Sequence, residues 1–362
     1  MEALVNDSTS AQQRFPVADT SHVAHARRSV GDLARGLGFT ETAAGRVAIV
    51  VTECATNILK HAQHGEMLVR RLALTVPAAG GDVARQAPQV RYGIEILALD
   101  KGPGIRDLHA CFQDGYTTAG SPGTGMGAIE RQSDELDIWS MPGRGVALRV
   151  VLWGEDSRLA QPAGAFEYGA VNLPLAGETL CGDAWCVEPS GAGFTVMVAD
   201  GLGHGPQANV AAVAAVRALA THVRLPLAEI MGHVHARLRP TRGAAVGIAR
   251  VGTDDDTLRF AGVGNISASV WQAGGHRQLM SHNGTVGHTM RKVQEVDTPW
   301  PARALLIMHS DGLTTRWDID QYPGLALRHP SLIAGVLYRD CTRGRDDVTV
   351  LAGRLRAMAR PS

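Results

Sequence analysis

Apolar side chains recur every three to four residues through residues 20–37 and again through 40–61, so each segment predicts an amphipathic helix. In the second segment Val47, Val50, Val51, Cys54 and Ile58 share one stripe. Residues 67–76 and 92–99 predict strands, and PAAGGDVARQAPQ between them is a loop by composition. Residues 102–127 are too rich in glycine to be anything but mostly loop, 126–136 predict a helix, and 137–153 predict a hairpin turning at Pro142, Gly143, Arg144 and Gly145. The periodicity fades around 154–169. Beyond it, short strands with glycine-rich turns are expected near 178–187, 193–199, 243–250, 257–262, 267–272, 304–308 and 347–352, with helices at 207–223 and 227–238. Many strands with few helices predict an α+β fold with helices outside a sandwich. Residues 1–15 are polar and expected to be loose, giving domains at 16–153 and 165–356 joined by a linker at 154–164.

The length of 362 residues agrees with two domains. Hydrophobic residues at 45% against 19% charged support real cores, and aromatics at 5% leave those cores to Ala, Val, Leu and Ile. With 35 basic and 35 acidic residues the formal charge is zero, which gives no electrostatic reason to expect nucleic acid or a membrane surface as partner. The five cysteines include no C-x-x-C pair, so neither a disulfide framework nor a zinc site is expected, and a reducing cytoplasm fits. The first residues lack the basic and apolar regions of a signal peptide, and no run of about 18 apolar residues is present to span a bilayer.

Candidate chemistry in the first half lies in three places. The segment TECATNILKHA puts Glu53, Asn57 and His61 on one helical face. Asn oxygen ligates Mg²⁺, and Glu either accepts a proton from an attacking hydroxyl or holds a water. LALDKGPGI ends a strand at Asp100 and opens into Gly102 and Gly104; an Asp there can accept from the adenine amine while glycines let the backbone approach a ligand. SPGTGMGAIE sets Gly123, Gly125 and Gly127 at a helix start, where free N–H groups suit phosphates.

The order E-x-x-x-N, D-x-G-x-G, G-x-G-x-G over residues 40–150 resembles the GHKL (Bergerat) ATPase fold, and within it the anti-sigma-factor serine kinases of the RsbT/SpoIIAB/RsbW type. The resemblance implies that Asn57 holds Mg²⁺, that Glu53 is the general base, and that Asp100, with Gly102 and Gly104, takes the adenine of ATP. It places the ATP lid and second glycine box between about residues 105 and 127. Arg106 is the only basic side chain apart from His109 between Lys101 and Arg131, whereas some members carry a basic lid residue near the γ-phosphate. ATP binding and serine phosphorylation are both implied; an ATP-dependent binding module without turnover is the alternative.

In the second half, acidic residues stand at strand ends beside glycine: Asp183 in GDAWC, Asp200 and Gly201 in VMVADGLGHG, Asp311 in LIMHSDGLTT, and the pair Asp346–Asp347 in RDDVTVLAG. Such carboxylates gather an oxygen-rich cage for hard cations, and two cations about 3.5–4 Å apart can bind a phosphate and activate a water. GDAW, ADGLGHG, GVGNIS, NGTVG, HSDGL and DDVTV stand in the order of the PPM phosphatases, and residues 165–356 most resemble their compact RsbX/SpoIIE-type branch, an α-β-β-α sandwich. The resemblance implies that Asp200 bridges both metals, Gly201 gives its carbonyl, Asp311 and Asp346 are ligands, Asp347 is a neighbour, and Asp183 lies at or just behind the metals. Either Mn²⁺ or Mg²⁺ suits such a cage. His204 reads as a proton-transfer or turn-stabilising residue and Asn265 as a strand-end hydrogen-bonding residue. The resemblances together imply a partner-switching regulator acting on serine or threonine of a STAS-domain protein, upstream of a sigma factor or a stressosome-type assembly. Dimers occur among the related kinases, so a homodimer is one open state of assembly, and a phosphatase for small phosphates is the other enzymatic reading.

Overall fold

The computed structural model describes residues 12–76, 89–108, 110–112, 125–154, 165–191 and 193–356. These divide into two compact units. The first begins with strand β1 (Gln13–Val17), followed by helices α1 (Thr20–Gly36) and α2 (Glu41–His61). Strands β2 (Gly65–Val76) and β3 (Gln89–Asp100), helix α3 (Gly125–Gln132), and strands β4 (Glu135–Ser140) and β5 (Val146–Trp153) complete it. Asp19 caps α1 by accepting from the amides of Ser21 and His22, and Thr40 caps α2 by accepting from Ala43. The strands form one antiparallel sheet in the order β1-β2-β3-β5-β4.

Alternation decides which side of the first sheet carries the helices. Val69, Ile94, Ile96, Leu148, Val150 and Leu152 join Val47, Val50, Val51 and Ile58 of α2 in one core. On the next positions along the same strands, Glu95 accepts from Arg70 Nε and Arg149 Nε at 2.6 Å each, and Arg149 also donates to Glu135 at 2.9 Å. The segment Tyr322–Arg328 belongs to this unit, where Trp139 Nε1 donates to the Pro323 carbonyl at 3.0 Å.

Two departures from the expected layout concern this unit. Strand β1 starts at Gln13, inside the stretch expected to be loose, because it pairs with β2 from Gln13↔Val69 to Val17↔Gly65. Helix α3 stops at Gln132 rather than at residue 136, and Leu136 enters β4, whose Leu136↔Val150 pairing draws it into the sheet.

The second unit begins with β6 (Phe166–Leu173), β7 (Asp183–Pro189), β8 (Gly193–Gly201), α4 (Pro206–His222) and α5 (Leu227–Leu238). It continues through β9 (Ala244–Gly252), β10 (Thr257–Val263), β11 (Ser267–Gln272), β12 (Gly275–Leu279) and β13 (Val296–Pro299). Strand β14 (Leu305–His309), helix α6 (Pro330–Cys341) and strand β15 (Val348–Leu355) close it. The strands make two five-stranded sheets, β13-β10-β9-β8-β7 and β12-β11-β14-β15-β6. Val196, Val198, Ala249 and Phe260 of one sheet share a core with Ala170, Val270, Leu306 and Met308 of the other. Ala212, Leu219, Ile230 and Val234 of α4 and α5 cover the outer side of the first of these sheets. Helix α6 packs on β6 and β15, the outer side of the second. The layering is α-β-β-α. No helix among the described residues is long and apolar enough to cross a membrane.

Candidate active sites

In the first unit, α2 and the start of α3 meet. A Cβ placed on Gly125 would stand 3.0 Å from Glu53 Oε2 and 3.2 Å from Asn57 Oδ1, so glycine leaves a cradle between these side chains and the first turn of α3. Asn57 Nδ2 also reaches Met126 Sδ at 3.6 Å. At the end of β3, Asp100 Oδ1 accepts from the amides of Gly102 at 2.8 Å and Val146 at 3.2 Å. A Cβ on Gly102 would lie 2.8 Å from that of Ala62, just past the end of α2. Gly104 has φ +73° and sits against the Met141 carbonyl, which binds this turn to the β4–β5 connection. The structure therefore gathers Glu53, Asn57 and Gly125, with buried Gly127 one residue past Met126, and holds Asp100, Gly102 and Gly104 by the C-terminal end of α2. Gly123 and residues 113–124 of the expected lid lie outside the described residues.

In the second unit, the antiparallel register sets Asp183 of β7 directly opposite Asp200 of β8. Asp183 is 3% exposed and accepts from Ser310 Oγ at 2.6 Å. Ser310 is itself fixed, its amide donating to Thr349 O at 3.0 Å and its Oγ accepting from Thr349 N at 2.9 Å. The next residue, Asp311, accepts from Asn265 Nδ2 at 2.7 Å. Asp346 is exposed and accepts the Asp347 amide at 2.9 Å. Asp347 is buried; its Oδ1 accepts from Leu175 N at 2.8 Å, while Oδ2 faces Gly182 without a well-formed hydrogen bond. Gly201 has no room for a side chain, because a Cβ would strike the Ala208 carbonyl of α4.

The electrostatics follow from this crowding. Burial first, and then its acidic neighbours, push Asp200 up to about 9. Burial pushes Asp183 up to about 7 against the opposing Ser310 hydrogen bond. Asp311 and Asp347 are also raised, chiefly by burial, with Arg343 opposing the rise at Asp311. Among the described residues no donor reaches the Asp200 carboxylate.

Among the described residues no three His, Cys, Asp or Glu side chains close on one point as a ready-made metal cage. Within the acidic site the carboxylates stand in pairs, Asp183 opposite Asp200 and Asp346 next to Asp347. Pairs of this kind fit Mg²⁺ or Mn²⁺, since Mg²⁺ keeps several waters and needs only one or two carboxylates. The Asp200 carboxylate, which accepts no hydrogen bond among the described residues, is the group such cations would satisfy.

Sequence reasoning passed over Ser310, whose position as the polar residue closing the apolar strand β14 was the available signal. It also missed Glu178, which meets His204 Nδ1 at 2.6 Å and packs against Gly205, φ +74°. His309 is buried, donates from Nδ1 to Ser310 O, and accepts the Trp317 indole N–H at Nε2; burial lowers its pKa.

A helix-lined glycine site on one sheet and an acidic site at the mouth of two stacked sheets define an ATPase domain followed by a PPM-type phosphatase domain. Residues 16–152 match the histidine kinase-like ATPase domain, and residues 190–356 match the stage II sporulation protein E (SpoIIE) domain, so the chain carries one domain of each family. It is 29% identical over 129 residues to serine/threonine-protein kinase RsbT of Bacillus subtilis (strain 168), covering 35% of this chain and 86% of RsbT. It is 23% identical over 186 residues to phosphoserine phosphatase RsbX of the same organism, covering 51% of this chain and 92% of RsbX. A solved structure described as the bacterial stressosome, a modular system adapted to control secondary messenger signaling, includes a chain 27% identical with TM-score 0.50. The match covers 53% of this chain and all of that one.

Proposed function

We propose that this chain sets the phosphorylation level of a STAS-domain protein in a partner-switching pathway that governs a sigma factor or a stressosome-type assembly. The C-terminal domain removes phosphate from serine or threonine, and the N-terminal domain binds ATP with Mg²⁺ and phosphorylates serine. The observation that carries the hydrolytic half is the opposition of Asp183 and Asp200 beside Asp311 and Asp346–Asp347. Similarity to a named serine kinase and a named phosphoserine phosphatase within one chain supports the pairing of activities. Five free cysteines, four of them buried, suit a cytoplasmic setting.

In this reading Asp200, the Gly201 carbonyl, Asp311 and Asp346 hold two Mn²⁺ or Mg²⁺, with Asp183 and Asp347 behind them. Bound cations supply Lewis-acid polarisation of the phosphate and an activated water. Ser310 and Asn265 orient Asp183 and Asp311 through the hydrogen bonds given above. In the N-terminal domain Asn57 holds Mg²⁺, Glu53 accepts the serine hydroxyl proton, and Asp100 takes the adenine.

The test is a two-direction assay with a STAS-domain protein from the same genome. One arm supplies ATP and Mg²⁺ to an Asp311→Ala variant and follows serine phosphorylation. The other supplies the phosphoprotein and Mn²⁺ to the unmodified chain and follows phosphate release. Activity in both arms establishes the bifunctional reading. Release without phosphorylation makes the N-terminal domain an ATP-dependent binding module, and absence of both overturns the proposal.

A further inference from the structure

Three large apolar side chains stand exposed on the segments that frame the acidic site: Leu180 at 41%, Leu202 at 45% and Val210 at 59%. Leu180 lies just ahead of Asp183, Leu202 follows Gly201, and Val210 is on the first turns of α4. These segments are tied together. Gly201 N donates to Gly182 O at 3.1 Å, Asn209 Nδ2 donates to Cys181 O at 2.8 Å, and His204 meets Glu178 at 2.6 Å. The apolar residues are therefore fixed relative to the carboxylates, and a surface held in place before binding loses little entropy when occupied.

We infer that Leu180, Leu202 and Val210 form the docking surface for the polypeptide that flanks the phosphoserine, with apolar side chains of that substrate seated on them. The inference rests on the phosphatase reading above and deepens it.

Two features select this occupant. First, hydrogen bonds join the segments that carry these residues to the strand ends that carry Asp183 and Asp200, so a phosphoserine reaching Asp200 and Asp311 brings its neighbouring residues across this rim. Second, the charge is complementary to a phosphoprotein. Arg242 Nη1 lies 3.1 Å from the Cβ position of Gly203, so a guanidinium borders the rim where a dianionic phosphate approaches. An anionic lipid surface would meet the acidic cluster itself, and a two-fold related copy would set that cluster against its own image.

The experiment compares kcat/KM of the full chain with Mn²⁺ on two phosphoserine decapeptides. One carries leucines within four residues of the phosphoserine, and the other carries serines there. p-Nitrophenyl phosphate is the reference substrate. The unmodified chain is expected to prefer the leucine peptide by about tenfold, through KM, a ratio worth about 1.4 kcal/mol. In a Leu202→Ser/Val210→Ser double variant the rate on the leucine peptide, relative to p-nitrophenyl phosphate, falls about tenfold and the preference disappears. Met280→Ser, at a residue 78% exposed at the end of β12 region, leaves the preference intact. Equal use of both peptides by the unmodified chain, or a preference that survives in the double variant, overturns the docking surface and leaves the phosphatase standing. No hydrolysis of p-nitrophenyl phosphate removes the phosphatase reading and the inference with it. A concentration-dependent dimer that the double substitution dissolves, or binding to phosphatidylglycerol vesicles that it abolishes, assigns the surface to another occupant and overturns the inference.

Discussion

Asp183 and Asp200 are direct cross-strand partners on β7 and β8, an arrangement that ordinarily destabilises a sheet because like charges oppose one another. The fold lessens that repulsion by favouring the protonated forms. Both groups have folded-state pKa values raised above the usual carboxylate range, Asp183 to about 7 and Asp200 to about 9. For an acid raised in this way the folded state binds more protons than the unfolded one, so stability falls as pH rises. In a chelator-treated sample the melting temperature is therefore expected to fall as pH rises from about 4 through 7 toward 9. Mn²⁺ should raise the melting temperature far more at pH 8.5 than at pH 5, since ligands must be deprotonated to bind. A metal effect equal at both pH values would contradict the assignment.

Gly125 gives a prediction in which two properties move in opposite directions. Ala is the better helix former by about 1 kcal/mol, so Gly125→Ala should not weaken α3. Its methyl group would nonetheless enter the space bounded by Glu53 Oε2 at 3.0 Å and Asn57 Oδ1 at 3.2 Å. ATP affinity measured by calorimetry is expected to drop at least about tenfold, ~1.4 kcal/mol, with the melting temperature of the nucleotide-free protein held or raised. Unchanged affinity would move the nucleotide away from this cradle.

Much of this arrangement was legible beforehand because its signals are local. The stripe through Val47, Val51 and Ile58 and the strand-then-Asp-Gly pattern each need only a few neighbouring residues to be read. What was not legible depends on distant partners. Strand β6 was passed over because the periodicity fades around 154–169, whereas in the fold Gly169 lets Ser331 of α6 approach too closely for any side chain. Helix α6 itself is buried on every side from Pro330 to Arg339, so it shows no amphipathic period. Asp183 was recognised from its Gly-Asp setting, but its dependence on Ser310, 127 residues away, exists only once β7 and β14 are folded.

Gly201 tests the coupling between α4 and the acidic site. Its Cα packs on the Ala208 carbonyl, and Gly201→Ala would force the start of α4 away from the strand end that carries Asp200. Steric strain of this kind costs about 1–3 kcal/mol. Phosphatase activity is expected to be lost while far-ultraviolet circular dichroism stays near that of the unmodified chain. Full activity in this variant would show that the loop after Asp200 adjusts freely.

Glu95 offers the most severe change outside either site. It is 1% exposed and accepts from both Arg70 and Arg149 at 2.6 Å, so one carboxylate balances two buried guanidinium groups. Burial tends to lower the Arg149 pKa, but Glu95 and Glu135 together raise it above its ordinary value, so the cation stays charged inside the sheet. Glu95→Ala leaves that charge with only the partly exposed Glu135. Removing one partner of a buried ion pair costs about 3–5 kcal/mol. Because that is a large share of a domain's total stability, the N-terminal domain should unfold at markedly lower urea concentration. A triple change of Glu95, Arg70 and Arg149 to Met, Leu and Leu removes the charges together. It should recover most of the loss, since apolar replacement of a whole buried ionic group is close to neutral. Failure of the triple variant to recover would mean that the ionic row specifies the register of β2, β3 and β5 as well as neutralising itself.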